Sequence, residues 1–198
     1  MFISFEGLDG CGKTTQAAML AAALELEGRT VVRVREPGGT PIGERIRELL
    51  LDGDSVIGGA AEALLYAAAR AQLVDQVILP ALARGEVVVA DRFIDSSLAY
   101  QGVARGLGLE QVLQANQLAT GGLMPDITLL LRLPPELAAA RRRGDIPDRI
   151  ESESDGFHAA VAEGFAAAAA RFPERIHVVD ASGPPRAVLA RVREAANL

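Results

Sequence analysis

The stretch Gly7-Leu8-Asp9-Gly10-Cys11-Gly12-Lys13-Thr14-Thr15 constrains this chain more than any other. It follows a short apolar run, Met1 to Phe5, that reads as a buried strand, and it precedes Gln16 to Glu27, which reads as a helix. Strand, glycine-rich turn, helix is the context in which successive backbone N–H groups turn inward around a polyphosphate, and the helix N-terminus adds partial positive charge. In such a phosphate-binding loop, or P-loop, Lys13 reaches the β- and γ-phosphates of ATP and the Thr14 hydroxyl ligates Mg²⁺. All nine residues from Gly7 to Thr15 are therefore candidates for ATP binding. Lys13 is the only lysine in the chain, every other basic side chain being arginine. A sequence so biased to the planar guanidinium keeps one compact ammonium, at the position where a point charge is wanted.

A chain of 198 residues suits one domain with a sizeable core, and 49% apolar content argues against disorder. The net charge of −6, with no lysine-rich tail, argues against broad binding to nucleic acid or anionic membranes. No leader-like segment precedes the first strand, and no apolar run reaches the ~18 residues of a membrane span. The expectation is a cytoplasmic protein with no membrane or nucleic-acid partner. Cys11 is the only cysteine, and His158 and His177 are the only histidines, which speaks against a disulfide framework, a zinc site or a Ser-His-Asp hydrolase.

Further along, Thr30 to Arg35, Glu86 to Ala90, Ile127 to Leu133 and Arg175 to Val179 read as strands. Between and after them, Ile42 to Leu51, Ala60 to Arg84, Asp95 to Arg105, Leu109 to Thr120, Pro135 to Arg143, Ser152 to Ala170 and Pro185 to Ala196 read as helices. Regular alternation predicts an α/β fold of three layers, a P-loop NTPase architecture with a five-stranded parallel sheet flanked by helices. Residues 1–198 read as a single P-loop domain, with a candidate lid segment at about 141–152.

Asp91 ends a buried strand, where an acid stands beside the Mg²⁺ and phosphates of a P-loop protein, and Arg92 after it is able to hold a second phosphate. Tyr66 and Arg70, spaced i, i+4, share a helix face on which a planar base could stack and be hydrogen-bonded; the plainer alternative is a core aromatic beside a surface cation. Arg141, Arg142, Arg143 and Arg149 flank Gly144-Asp145-Ile146-Pro147 and read either as a lid carrying charge to a transferring phosphate or as a solvated basic surface. Cys11 lies inside the phosphate cradle near a helix N-terminus. Two readings stay open for it: an activated thiol that MgATP shields from alkylation, or a small residue with its sulfur turned away from solvent.

Together these segments resemble the thymidylate kinase family of nucleoside monophosphate kinases. The resemblance runs nearly end to end. It takes in Phe5-Glu6-Gly7-Leu8-Asp9-Gly10 and the P-loop, Arg35-Glu36-Pro37-Gly38-Gly39-Thr40, and Leu65-Tyr66-Ala67-Ala68-Ala69-Arg70. It continues with Asp91-Arg92-Phe93, Ser96-Ser97-Leu98-Ala99-Tyr100-Gln101-Gly102, Pro125-Asp126-Ile127-Thr128, Arg143-Gly144 and Asp148-Arg149-Ile150-Glu151. The Arg-Glu-Pro-Gly-Gly-Thr and Asp-Arg-Phe…Tyr-Gln-Gly segments are far more specific than the P-loop, which many enzymes share.

The resemblance implies transfer of the γ-phosphoryl group of ATP to dTMP in dTTP biosynthesis, by a Mg²⁺-dependent homodimer packed through long helices. It implies that Lys13 and the loop amides hold ATP, that Thr14 and Asp91, the latter through water, serve Mg²⁺, and that Asp9 meets the sugar 3′-hydroxyl of dTMP. Arg35 and Arg92 then lie near the dTMP phosphate, and Tyr66 stacks on thymine. Arg70, Ser97 and Gln101 bond its edge, and Tyr100 crowds the sugar C2′ position. Lys13, Arg92, Arg143 and Arg149 are the implied catalytic cations, the last two from the lid, because the P-loop carries no arginine. The sequence departs from the family's usual residues at Tyr66, where phenylalanine is commoner, at Cys11, usually alanine or serine, and at Arg132, where an acid is common. The alternatives are a P-loop kinase for a deoxynucleoside or another monophosphate, and a nucleotide switch. The switch is disfavoured because an Asn-Lys-x-Asp guanine motif is impossible with one lysine already in the P-loop.

Overall fold

The computed structural model describes residues 1–134, 137–138 and 147–198. The apolar runs form β1 (Phe2–Glu6), β2 (Val31–Arg35), β3 (Val87–Asp91), β4 (Ile127–Arg132) and β5 (Ile176–Asp180). They join in the order β2-β3-β1-β4-β5, every neighbouring pair parallel. All of β1 is buried, because helices cover both faces of the central strands; edge strand β2 keeps only half-buried and exposed positions.

Side-chain alternation divides the core into two faces. Ile3, Phe5, Val87, Val89 and Leu129 face α1 (Lys13–Leu26) and the last helix, meeting Leu20, Leu24, Val188 and Val192. Phe2, Val88 and Ala90 face Leu73 and Ile78 on the opposite side, where Leu130 and Ile176 also pack, against Phe157 and Val161. Each fully buried aliphatic side chain of this kind contributes about 1.5–3 kcal/mol.

Helix α2 (Pro41–Leu51) begins where Thr40 accepts a hydrogen bond from the Gly43 N–H at 3.0 Å and Pro41 presets the first turn. Helix α3 (Gly59–Leu73) runs without a break through a π-helical turn, Val74–Ile78, into α4 (Leu79–Ala83). Helix α5 (Ile94–Ser97) likewise continues as a π-helical segment, Leu98–Ala104. Both stretches read as plain helices from sequence; the extra residue of a π turn leaves no mark in apolar periodicity. α6 (Leu109–Thr120), α7 (Asp155–Arg171) and α8 (Pro185–Ala195) complete the layers.

Gly164 on α7 fixes the second π segment. A Cβ there would stand 2.6 Å from the Ala99 Cα and 2.8 Å from its carbonyl oxygen, so only glycine lets the two backbones approach this closely. The expected helix from Pro135 to Arg143, apart from residues 137–138, and the loop from Gly144 to Ile146 lie outside the described residues, as does most of the arginine-rich part of the expected lid. No described helix is long and apolar enough to cross a membrane.

Candidate active site

From adjacent strands the chain leaves in opposite directions, β1 toward β2 and β3 toward β4, and a crevice opens at their C-terminal ends. Register sets what stands there. Phe5, Asp91 and Arg35 are level across β1, β3 and β2, and the ladder extends through Arg92 N–H to Phe5 O and Glu36 N–H to Asp91 O, both 3.0 Å. Three loops, beginning at Gly7, Arg92 and Glu36, therefore start on one rim of a cleft of about 410 Å³.

On the P-loop side, Gly12 takes the left-handed conformation (φ 99°) that turns the chain into α1. The first turn of α1 carries no acidic residue and no side-chain cap, unlike α2, and uncapped N–H groups at a helix N-terminus suit an anion. The Lys13 ammonium donates to Gly7 O at 3.0 Å and Leu8 O at 2.9 Å and lies 3.5 Å from the Asp9 carboxylate. Thr14 Oγ1 donates to Asp91 Oδ2 at 2.5 Å. Asp9, Gly10, Gly12, Lys13, Thr14 and Thr15 all line the cleft.

Arg92, which lines the cleft, is a non-glycine residue at φ 72°. That strained conformation, worth about 1–3 kcal/mol, persists because the surroundings over-determine it. Its guanidinium donates to Gly7 O at 3.2 Å and Ser96 Oγ at 3.0 Å, pairs with Asp9, and lies 5.3 Å from the centre of the Tyr100 ring. Burial disfavours the Arg92 cation, but the Asp9 carboxylate outweighs it and keeps it charged. Burial works in the same way against the Asp9 anion, and Arg92 and Lys13 prevail, holding its carboxyl well below the usual range. The Tyr100 hydroxyl adds a bond to Asp9 Oδ2 at 3.2 Å.

Behind Arg92 stands Glu6, fully buried. It accepts from Phe93 N–H at 2.8 Å and from the Ser96 hydroxyl at 2.5 Å, the same Ser96 that accepts from Arg92. Burial, reinforced by the nearby Asp95 charge, pushes the Glu6 carboxyl up to about 7.

Tyr66, Ser97, Tyr100 and Gln101 also line the cleft. Burial pushes the Tyr66 hydroxyl up to about 12, so it stays neutral near pH 7. Arg35 lines the cleft, tied to Glu44 at 2.9 Å and Pro37 O at 3.2 Å.

Among the described residues, Arg70, Arg149 and Cys11 do not line the cleft, nor do Gly7 and Leu8, whose carbonyl oxygens hold the Lys13 ammonium. Arg70 is 1% exposed and does not line the cleft. Its donors are spent on Glu36 (down to 2.5 Å), Ser97 Oγ at 3.0 Å, Asn116 and Phe93 O at 3.1 Å, so it holds up Ser97 from behind. Arg149 is 11% exposed at its side chain and is bound to Leu50 O at 2.7 Å and Glu62 at 2.8 Å. Cys11 is 2% exposed and packs in the core beneath the sheet's α1 face, so the reading with the sulfur turned inward is the one the structure adopts. Arg143 lies outside the described residues.

Sequence reasoning missed Arg47, which lines the cleft and donates to Pro37 O at 3.0 Å. Burial and the neighbouring Arg35 lower its pKa, a pair of cations facing one pocket wall. Their spacing on a strand end and a helix gave no periodic signal. Glu36, Ser96, Asp148 and Glu151 also line the cleft without having been singled out as site residues.

The family model described as Thymidylate kinase matches residues 5–192. A thymidylate kinase of Caldanaerobacter subterraneus subsp. tengcongensis is 54% identical over 90% of this chain and 86% of its own length. That of Gloeobacter violaceus is 50% identical over 100% of this chain and 95% of its own. The crystal structure of thymidylate kinase from Ehrlichia chaffeensis superposes with a TM-score of 0.80 at 34% identity, covering 99% of this chain and 98% of that one. A family match over residues 5–192 and relatives about half identical along nearly the whole chain show that the chain belongs to the thymidylate kinase family.

Proposed function

We propose that the cleft aligns ATP and dTMP for direct in-line transfer of the γ-phosphoryl group, giving ADP and dTDP, with the residue roles that follow. The observation that carries these roles is continuity: the phosphate loop, the Asp9–Arg92 pair and the Tyr66–Ser97–Gln101 wall line one cavity. Two anionic substrates placed end to end there meet at Arg92.

The nucleophile is a dTMP phosphate oxygen, already an anion at pH 7, so no general base is needed. The protein's work is to align two polyanions and to neutralise charge spreading over the equatorial oxygens in the transition state. Lys13 and the α1 N–H groups meet the β- and γ-phosphates of ATP. Arg92, fixed by Gly7, Ser96 and Asp9, meets the phosphate oxygens between donor and acceptor. Arg35, joined by Arg47, holds the dTMP phosphate.

Thr14 Oγ1 and Asp91 Oδ2, 2.5 Å apart, are hard oxygen donors suited to Mg²⁺. No cluster of three metal-ligating side chains occurs among the described residues, which fits an ion that keeps water and phosphate ligands. Thr14 and Asp91 would hold the ion, which would supply positive charge beside the ATP phosphates.

Tyr66 stacks on thymine, Ser97 and Gln101 bond its edge, and Tyr100, anchored to Asp9, packs against the sugar. Asp9 faces the sugar 3′-hydroxyl from its bond with Arg92. Of the lid arginines in the segment at about 141–152, Arg149 belongs to the frame of the site, and Arg143 supplies cation to the transferring group. The enzyme works in the cytoplasm as a homodimer; the exposed Leu64 on α3 and Leu118 on α6 support a helix-lined interface.

Chromatography of a reaction with ATP, Mg²⁺ and dTMP tests the proposal. ADP and dTDP appear in equal amounts, and EDTA stops both. ADP release without dTDP would show ATP hydrolysis in place of transfer.

A further inference from the structure

Glu62 lies in the first turn of α3, one turn before Tyr66, with 0% of its surface exposed. Its carboxylate accepts from Gln101 Nε2 at 2.9 Å, from Arg105 Nε and Nη2 at 3.2 and 3.1 Å, and from Arg149 Nη2 at 2.8 Å. Burial disfavours the anion, but these bonds outweigh it and hold the carboxyl below its ordinary value. An ionised carboxylate only accepts hydrogen bonds. A side-chain amide beside it must therefore present its NH₂ end, whichever way the amide would turn in a neutral pocket. Gln101, which lines the cleft, is left with its carbonyl oxygen for a base.

We propose that Glu62 is a specificity-positioning residue: by locking the amide of Gln101 in one orientation it makes the base site an acceptor for the N3–H of thymine and excludes cytosine. The proposal rests on the reading of Gln101 as a base-edge contact. Thymine and uracil carry a donor at N3, which the Gln101 oxygen accepts. Cytosine carries an unprotonated N3, which would face that oxygen lone pair to lone pair, and the cost of turning the amide is a broken bond to a buried anion. A site built to hydrogen-bond one partner rejects the analogue that leaves its polar groups unpaired far more strongly than a shape-only pocket does. Arg105 and Arg149 contribute by keeping Glu62 ionised and in place.

The test is Glu62→Gln, assayed for kcat/KM with dTMP, dUMP and dCMP after circular dichroism confirms folding. The neutral amide lets Gln101 turn over, so the dTMP/dCMP preference falls by about tenfold or more, equivalent to about 1.4 kcal/mol. The dTMP/dUMP ratio stays at the parent value, because both bases carry the same N3–H. A purely structural role would lower all three substrates together and leave both ratios unchanged, and that result overturns the proposal.

If Glu62→Gln does not fold, the exchanged pair Glu62→Gln with Gln101→Glu decides. It keeps the pocket's charge and puts an obligate acceptor at the base, so discrimination against dCMP is retained; equal use of dCMP and dTMP overturns the proposal. A parent enzyme that uses dTMP but does not discriminate against dCMP also overturns it. A parent enzyme inactive on both dTMP and dUMP would instead refute the proposed function.

Discussion

Replacing Arg149 with alanine separates two roles for this side chain, a catalytic cation or a brace. The structure supports the brace. The guanidinium gives one hydrogen bond to the Leu50 carbonyl at 2.7 Å and one to the Glu62 carboxylate at 2.8 Å, with only 11% of the side chain exposed. A bond to a neutral carbonyl contributes about 0.5–1.5 kcal/mol, and a buried charge-assisted one about 1.5–3 kcal/mol. Glu62 keeps Arg105 and Gln101, so the 3–5 kcal/mol penalty of a stranded buried charge does not apply in full. The expected cost of Arg149→Ala is about 2–3 kcal/mol, a fall in Tm of roughly 4–12 °C for a chain of this size. Urea unfolding at fixed pH, with the m-value checked against the parent, measures it. A variant with stability unchanged to within about 0.5 kcal/mol but a much lower kcat would refute the brace and return Arg149 to the reacting phosphates.

Other consequences follow from the same geometry. Tyr66→Ala raises KM for dTMP strongly and leaves the ATP KM alone, since stacking on a base contributes about 1–3 kcal/mol; steady-state kinetics with each substrate varied checks this, and equal losses for both would mark Tyr66 as core. Gly164→Ala forces α7 off the Ala99 backbone, lowering stability by about 1–3 kcal/mol and weakening dTMP use more than ATP use, because Tyr100 and Gln101 ride on that segment; denaturation and KM values for both substrates check it. Glu6 holds its proton to about pH 7 in the folded protein, against 4.5 ordinarily, so the folded state binds the extra proton and Glu6 makes stability fall as pH rises from about 4.5 to about 7. Glu6→Gln removes that fall, and urea melts of both proteins across this pH range show whether the difference between them changes in the stated direction.

The strands were readable because parallel strands buried on both faces are continuous apolar runs, as in Val87-Val88-Val89-Ala90. The phosphate loop was readable because its chemistry is local, a glycine turn and one lysine within nine residues. What escaped is non-local. Nothing near Glu62 marks it as buried: the partners that make its burial tolerable, Arg105 and Arg149, come from 43 and 87 residues away. Arg70 looked like a base contact on the same helix face as Tyr66, yet Glu36, 34 residues away, takes the guanidinium inward. The two π turns were invisible because a single added residue rotates the helix face without changing its composition. Cys11 illustrates the opposite limit: its position in the loop was clear, but the direction of its sulfur depends on close packing with Gly7 and the core.

ADP release measured with saturating ATP and Mg²⁺ against each common nucleoside monophosphate in turn tests the central claim most directly. With the cleft as assigned, dTMP gives the highest kcat/KM, dUMP follows, and dCMP, AMP and GMP lag far behind. A higher kcat/KM for any purine monophosphate or for dCMP than for dTMP would contradict the assignment of Tyr66, Ser97 and Gln101 as a thymine site.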